Sequence, residues 1–325
     1  MQISNKVLSD LEAFLEQPFP SHRAVSFARH CSDYDTQGSL LWNSATKILR
    51  DVDEGSGNSP GVDSIRFAVL LRAFSFFMLD AAHNESSGRT KSIDQRVRIF
   101  KVALKAARCC LDNNDLRLAF KLIERASRYV TAWEEATPVI RVVDDSLNDE
   151  ESSIQQLICS FYLLRIAHAA KSRRYDLADH FFLKANFSDN SDQDGLLEAA
   201  AGICFEIGRS QLQQSNKENA LVWLERAHKL LDSEVLVSRS LEHEDLRLAI
   251  VASLLEALPN DDHGKRAWNI VAGLDEDHGL GNRIAVLVMK LNIVSRSEPA
   301  DIDAAARILV QMIRSTVLTD QTYLT

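Results

Sequence analysis

Within residues 203–231, ICFEIGRSQLQQSNKENALVWLERAHKLL, the small residues Gly208, Ala220 and Ala227 recur at intervals set by two helices joined by a short turn. Antiparallel helices approach closely only where no bulky side chain separates them. Gly208 on the first helix and Ala220 and Ala227 on the second meet that demand, while Leu221, Trp223 and Leu224 supply apolar contacts. The stretch therefore reads as one helical hairpin with a face that has to be covered by a neighbour.

The pattern is not confined to one place. In VRIFKVALKAARCCLDNNDLRLAFKLIERASRYV, Ala107, Ala119 and Ala126 keep the same mutual offsets, and in SFYLLRIAHAAKSRRYDLADHFFLKAN the positions fall on Ile166, Ala178 and Ala185. Two further helix pairs align on Ala267 and Ala305 with weaker small-residue matches. Units near residues 97–130, 154–186, 196–232, 243–274 and 283–315 follow, each of the tetratricopeptide type, whose period is roughly 34 residues. The fold predicted is all-α: a right-handed α-solenoid of irregular tetratricopeptide-like helix pairs with an N-terminal helical cap. In LDNNDL the turn-prone Asn and Asp residues separate the first two helices, and Asp115 is placed to N-cap the second. The aligned alanines lie further apart than the ideal period, and the excess maps onto polar insertions, TPVIRVVDDSLNDEES and FSDNSDQDG. The acidic run Asp144, Asp145, Asp149, Glu150 and Glu151 in the first reads as a solvated loop.

Residues 1–95 form the predicted cap and residues 96–325 the array. Helices are expected over residues 6–16 and 39–50, followed by a turn or linker at DVDEGSGNSPG. SIRFAVLLRAFSFFMLDAAH is apolar nearly all round, with Phe67, Phe74, Phe76 and Phe77, and predicts a helix buried on more than one face.

Only 12 Gly and 6 Pro in 325 residues favour long helices over a turn-rich β architecture. A net charge of −9 argues against a dedicated nucleic-acid binder. The five cysteines (Cys31, Cys109, Cys110, Cys159 and Cys204) show no CxxC spacing and lie in apolar helical patterns, as buried thiols of a reducing compartment do. No apolar run reaches the 18 to 20 residues of a membrane span, and the N-terminus carries no secretory pattern. No Walker, GxGxxG, GxSxG or HExxH sequence occurs. His168 and His180, with Asp176 and Asp179, are the nearest approach to a metal set, and they lack convergent spacing. The chain reads as a non-enzymatic binding protein without metal or cofactor.

Residues 96–130 carry nine basic residues against Asp112, Asp115 and Glu124. In tetratricopeptide geometry Lys101 and Arg108 face the concave groove, and Arg209 holds the place in the third unit equivalent to Arg108. Together they form a candidate protein-binding face that could clamp an acidic peptide through charge-assisted hydrogen bonds.

Five segments in order, LLWNSATKIL, LLRAFSFFMLDAAH, KVALKAARCCLDNNDLRLAFKLIERA, FYLLRIAHAAKSRRYDLADHFFLKA and EIGRSQLQQSNKENALVWLERAHKLL, resemble the fungal sporulation-specific protein twenty-two / Zip-four family, a relative of testis-expressed protein eleven. The resemblance spans residues 36–325. It implies a nuclear scaffold on meiotic chromosomes that promotes crossover recombination and synaptonemal complex assembly. Its implied partners are nuclease-like and MutS-homologue recombination complexes and synaptonemal central-region components. Members of that family are longer than this chain, so the sequence reads as part of a longer protein. The alternative reading is a general cytosolic adaptor for acidic peptide segments.

Overall fold

The computed structural model describes residues 5–16, 31–53, 62–85, 93–140, 148–187, 194–232, 241–259, 264–276, 280–296 and 301–322. Thirteen helices and no strands occur among them. They divide into two compact units, Met1–Asn186 and Phe187–Thr325, and the division falls inside the segment read from sequence as a repeat array.

The first unit holds α1 (Asn5–Glu16), α2 (Cys31–Asp53), α3 (Val62–Glu85), α4 (Ile93–Asp112), α5 (Leu116–Ile140), α6 (Asn148–Lys171) and α7 (Tyr175–Ala185). α2 pairs with α3, α4 with α5 and α6 with α7, while α4 also packs on α3 and on α6. α4 thus meets its own partner α5 and also α6, the first helix of the next pair. α3 is touched by α1, α2 and α4, which accounts for its apolar residues lying on nearly every side. At the centre the Phe100 ring is fully buried, 5.0 Å from Trp133 in an edge arrangement and 6.0 Å from Phe161. Those three rings join α4, α5 and α6.

The second unit holds α8 (Asp194–Gln213), α9 (Lys217–Leu231), α10 (Leu241–Ala257), α11 (Lys265–Glu276), α12 (Ile284–Arg296) and α13 (Ile302–Thr322). α8 pairs with α9 and α10, and α12 packs on α10, α11 and α13. Leu248, Val251, Leu255, Ala267, Val271 and Met289 form one core across α10, α11 and α12. Leu287, Val294 and Ile308 form another between α12 and α13.

Three pairs share one turn. Asn114, Arg173 and Ser215 have φ of 59°, 57° and 60°, in the left-handed region that L-residues other than Gly and Asn enter at a cost. Each is followed by the same pair of backbone bonds. Asp115 N–H donates to Cys110 O at 2.8 Å and Asn114 N–H to Leu111 O at 3.0 Å. Arg174 and Arg173 reach Ala169 and Ala170, and Asn216 and Ser215 reach Gln211 and Leu212, all at 2.8–2.9 Å. These bonds satisfy carbonyls that a helix end would otherwise leave open. In the first of these turns Asp115 Oδ1 accepts the Leu118 N–H at 3.0 Å, the N-cap read from LDNNDL. Each of Ala119, Ala178 and Ala220 then lies five residues after its left-handed residue.

Two boundaries differ from the sequence reading. α2 begins at Cys31 rather than near residue 39, because a polar run with Gly38 in it still helixes when its inner face packs on α3. Asp149, Glu150 and Glu151, read as a loop, belong to the first turn of α6. Asp144 and Asp145 lie outside the described residues, as does most of the expected linker after α2.

Candidate functional site

The contact that builds each hairpin is tightest between α8 and α9. A Cβ on Gly208 would stand 2.6 Å from Leu224 Cγ and 2.8 Å from Leu224 Cδ2, inside any tolerable approach. Leu224 and Ala220 are fully buried and so is Ala227. Ala107, Ala119, Ala126, Ala178 and Ala185 are likewise buried, as is Ile166. Ala267 is buried on α11, whereas Ala305 is only partly buried against the Leu287 core.

Sequence reading missed a further instance. On α2, a Cβ at Gly38 would meet Leu79 Cγ at 3.0 Å and the Ser75 carbonyl oxygen at 3.3 Å. Gly38, Ser75, Leu79 and Ala82 stand to one another as Gly208, Ala220, Leu224 and Ala227 do, so a hairpin of repeat type lies within the region read as a cap. The signal was present in the spacing of Ser75, Leu79 and Ala82 on α3. The long first helix, and the residues between α2 and α3, displaced Gly38 from its partner in the alignment.

Lys101, Lys105 and Arg108 form an exposed stripe along α4 at i, i+4 and i+7, with no ion-pair partner among the described residues. It is about 10 Å long at 1.5 Å per residue. Other basic residues of the same region are engaged. Arg98 meets Asp35 at 2.8 Å, Arg117 meets Glu16 at 2.7 Å, and Arg125 bonds the buried Asp80. Arg209 is exposed on α8 with its guanidinium 5.7 Å from the Phe205 ring centroid. It belongs to the second unit, whereas Lys101 and Arg108 belong to the first.

Within the second unit a groove of about 560 Å³ runs between α10 and α12, floored by Ala252, Leu255, Val288 and Met289 and edged by Lys217 and Glu256. Apart from Lys217, its lining comes from the two pairs whose small-residue matches were weakest, and so it escaped the sequence reading.

His168 packs against α5. Its Nε2 lies 3.1 Å from Leu116 O and its ring 5.7 Å from Phe120. Burial holds its pKa below the ordinary histidine value against the Leu116 contact. Asp176 pairs with Arg174 at 3.0 Å. No group of three or more potential ligands for a metal occurs among the described residues. Cys109, Cys110, Cys159 and Cys204 are buried, and the Cys159 thiol donates to Ala185 O at 3.1 Å. Burial pushes the Cys204 thiol up to about 12, with Arg226 opposing, so it stays protonated and unreactive. No helix among the described residues is long and apolar enough to cross a membrane.

No curated protein and no solved structure matches the chain. A family model described as "Meiosis protein SPO22/ZIP4 like" matches residues 168–323, from the end of α6 through α13. The segments of α2 to α5 quoted for the resemblance precede that match. Over residues 168–323, a little under half of its length, the chain is thus similar to the SPO22/ZIP4-like meiosis protein family, the family that the ordered helix pairs resemble.

Proposed function

We propose that the protein is a non-enzymatic protein–protein scaffold of meiosis. It acts in the nucleus on meiotic chromosomes, where it promotes crossover recombination and synaptonemal complex assembly by holding recombination complexes and synaptonemal central-region components together. The match of residues 168–323 to a meiosis family carries this reading. Stacked hairpins support it, since each adds solvent-facing helix surface without forming a catalytic cleft. A continuous right-handed solenoid of tetratricopeptide type, with binding faces that include Lys101, Arg108 and Arg209, is part of the same proposal. The test is a tagged protein expressed from its own promoter. Foci on spread meiotic chromosomes, with fewer crossovers on deletion, are expected. Uniform cytoplasmic signal in meiotic cells with normal crossover numbers would sink it.

The second reading, an adaptor for acidic peptide segments, has the unpartnered stripe Lys101, Lys105 and Arg108 in its favour. Charge reversal of Arg108 then weakens acidic-peptide binding in vitro whatever the cell type.

A further inference from the structure

α1 reaches the body of the first unit chiefly through two leucines seven residues apart. Leu8 and Leu15 are buried, while Val7 and Phe14 are 49% and 43% exposed. Phe14 also sets its ring edge-on to Phe74, with centroids 5.2 Å apart. Three cations of α3 and α5 converge on this acidic helix. Arg66 meets Glu12 at 2.5 Å and Arg117 meets Glu16 at 2.7 Å. The Lys121 ammonium donates to Leu15 O at 2.7 Å and Glu16 O at 3.1 Å, capping carbonyls that the end of α1 leaves open.

The fit is incomplete. Space of about 170 Å³, open to solvent on one side, remains between α1 and the two helices, bounded by Leu15, Arg66, Leu70, Arg117, Leu118 and Lys121. Both ion pairs are solvent-exposed, the arginine side chains by 62% and 71%, and exposed pairs hold weakly. The site thus sets three cations against an acidic helix, with Asp115 also at its edge, and α1 leaves part of it open.

We propose that the cleft between α3 and α5 is a docking groove for an acidic amphipathic helix of another protein, and that α1 is a resident occupant which this partner displaces. The partner carries apolar residues seven apart, a carboxylate four residues after the first and another directly after the second, as Leu8, Leu15, Glu12 and Glu16 do. A side chain larger than leucine at the second apolar position fills the remaining space. The proposal rests on the geometry of the first unit and is independent of the meiotic reading.

The test uses the purified full chain and a fluorescein-labelled peptide with the sequence of residues 5–16, followed by anisotropy. Leu8→Glu combined with Leu15→Glu frees the groove, and this variant binds the peptide about tenfold or more tighter than the wild-type chain, whose groove is occupied. Adding Arg117→Glu and Lys121→Glu removes the gain. A freed variant that keeps its helical circular dichroism and cooperative unfolding yet binds no better overturns the proposal, as does binding indifferent to the two charge reversals. Hydrogen exchange on the wild-type chain provides a reading that needs no variant. Amides of α1 exchange faster than those of α3 and α5, and protection of α1 equal to that of α3 also overturns the proposal.

Discussion

The Tyr129 hydroxyl donates to Asp80 Oδ1 at 2.7 Å, joining α5 to α3 beneath the repeat surface. Asp80 is 2% exposed and its other oxygen accepts from Arg125 Nε, so one carboxylate is satisfied by two side chains of a single helix. Removing the charge strands a partly buried guanidinium. Asp80→Ala should destabilise the protein by about 3–5 kcal/mol, and Tyr129→Phe by about 1–2 kcal/mol, measured by urea unfolding. Equal, small losses in the two variants would show that the pair is not stabilising.

The same pair predicts an alkaline limit. Burial, and then the Asp80 charge, raises the Tyr129 pKa well above the usual tyrosine range. Burial and Glu134 push Tyr162 up to about 12. Protonated forms are favoured in the folded state, so this contribution is complete below about pH 10, the unfolded value, and is lost as pH rises beyond it. Unfolding free energy should fall more steeply above pH 10 in wild type than in Tyr129→Phe; parallel curves would count against the assignment.

Gly208→Ala tests the hairpin contact. With Leu224 fully buried, the added methyl cannot be relieved by simple rotation, and a loss of about 2–3 kcal/mol is expected, in the range of overpacking. Gly38→Ala, with its nearest contact at 3.0 Å, should cost less. A double-mutant cycle with Leu224→Ala should give a total loss smaller than the sum of the single losses. Strict additivity would mean that the two side chains do not compete for the same space.

Ser215→Gly should stabilise by about 0.5–1 kcal/mol, because glycine enters the left-handed region without the strain on a Cβ. Ser215→Val should destabilise, since a β-branched residue is most strained there. Thermal unfolding midpoints that move in the same direction for both variants would refute the role of this turn.

Arg247, 5% exposed, bonds the Asp232 carboxylate and the Leu231 carbonyl, and so ties α10 to the end of α9. Burial raises the Asp232 pKa, but His228, 2.7 Å away, and Arg247 outweigh it and hold the carboxyl below the usual range. A depressed pKa contributes stability above about pH 4, and that stability is lost as the pH falls through the folded value. Arg247→Met should lower stability by about 2–4 kcal/mol at neutral pH and flatten this acid-side loss. An unchanged acid slope would place the linkage elsewhere.

Much of the helix pairing was legible because it depends on local composition. Three small positions at fixed offsets identify a close approach in any hairpin whose turn is three residues long. The offsets no longer align when the connection lengthens, and so Gly38 was read apart from Ser75 and Leu79. Contacts between helices distant in sequence left no such trace: Asp80 and Arg125 are ordinary charged residues until α3 and α5 are packed. The basic character of residues 96–130 was visible, but their division into the open stripe Lys101, Lys105 and Arg108 and the engaged Arg98, Arg117 and Arg125 depends on carboxylates supplied by α1, α2 and α3.

The left-handed residues Asn114, Arg173 and Ser215 make the three hairpins interchangeable parts. Each turn closes the same backbone ring, so the chain reverses by the same hydrogen bonds whatever side chains surround it, and the long polar insertions of the sequence fall between these hairpins rather than inside them. A chimera that joins α4 to α9 through either parental turn would keep Ala107 opposite the position of Ala220. A single residue inserted into the turn would rotate the second helix by roughly 100° and turn its alanines away from their partner.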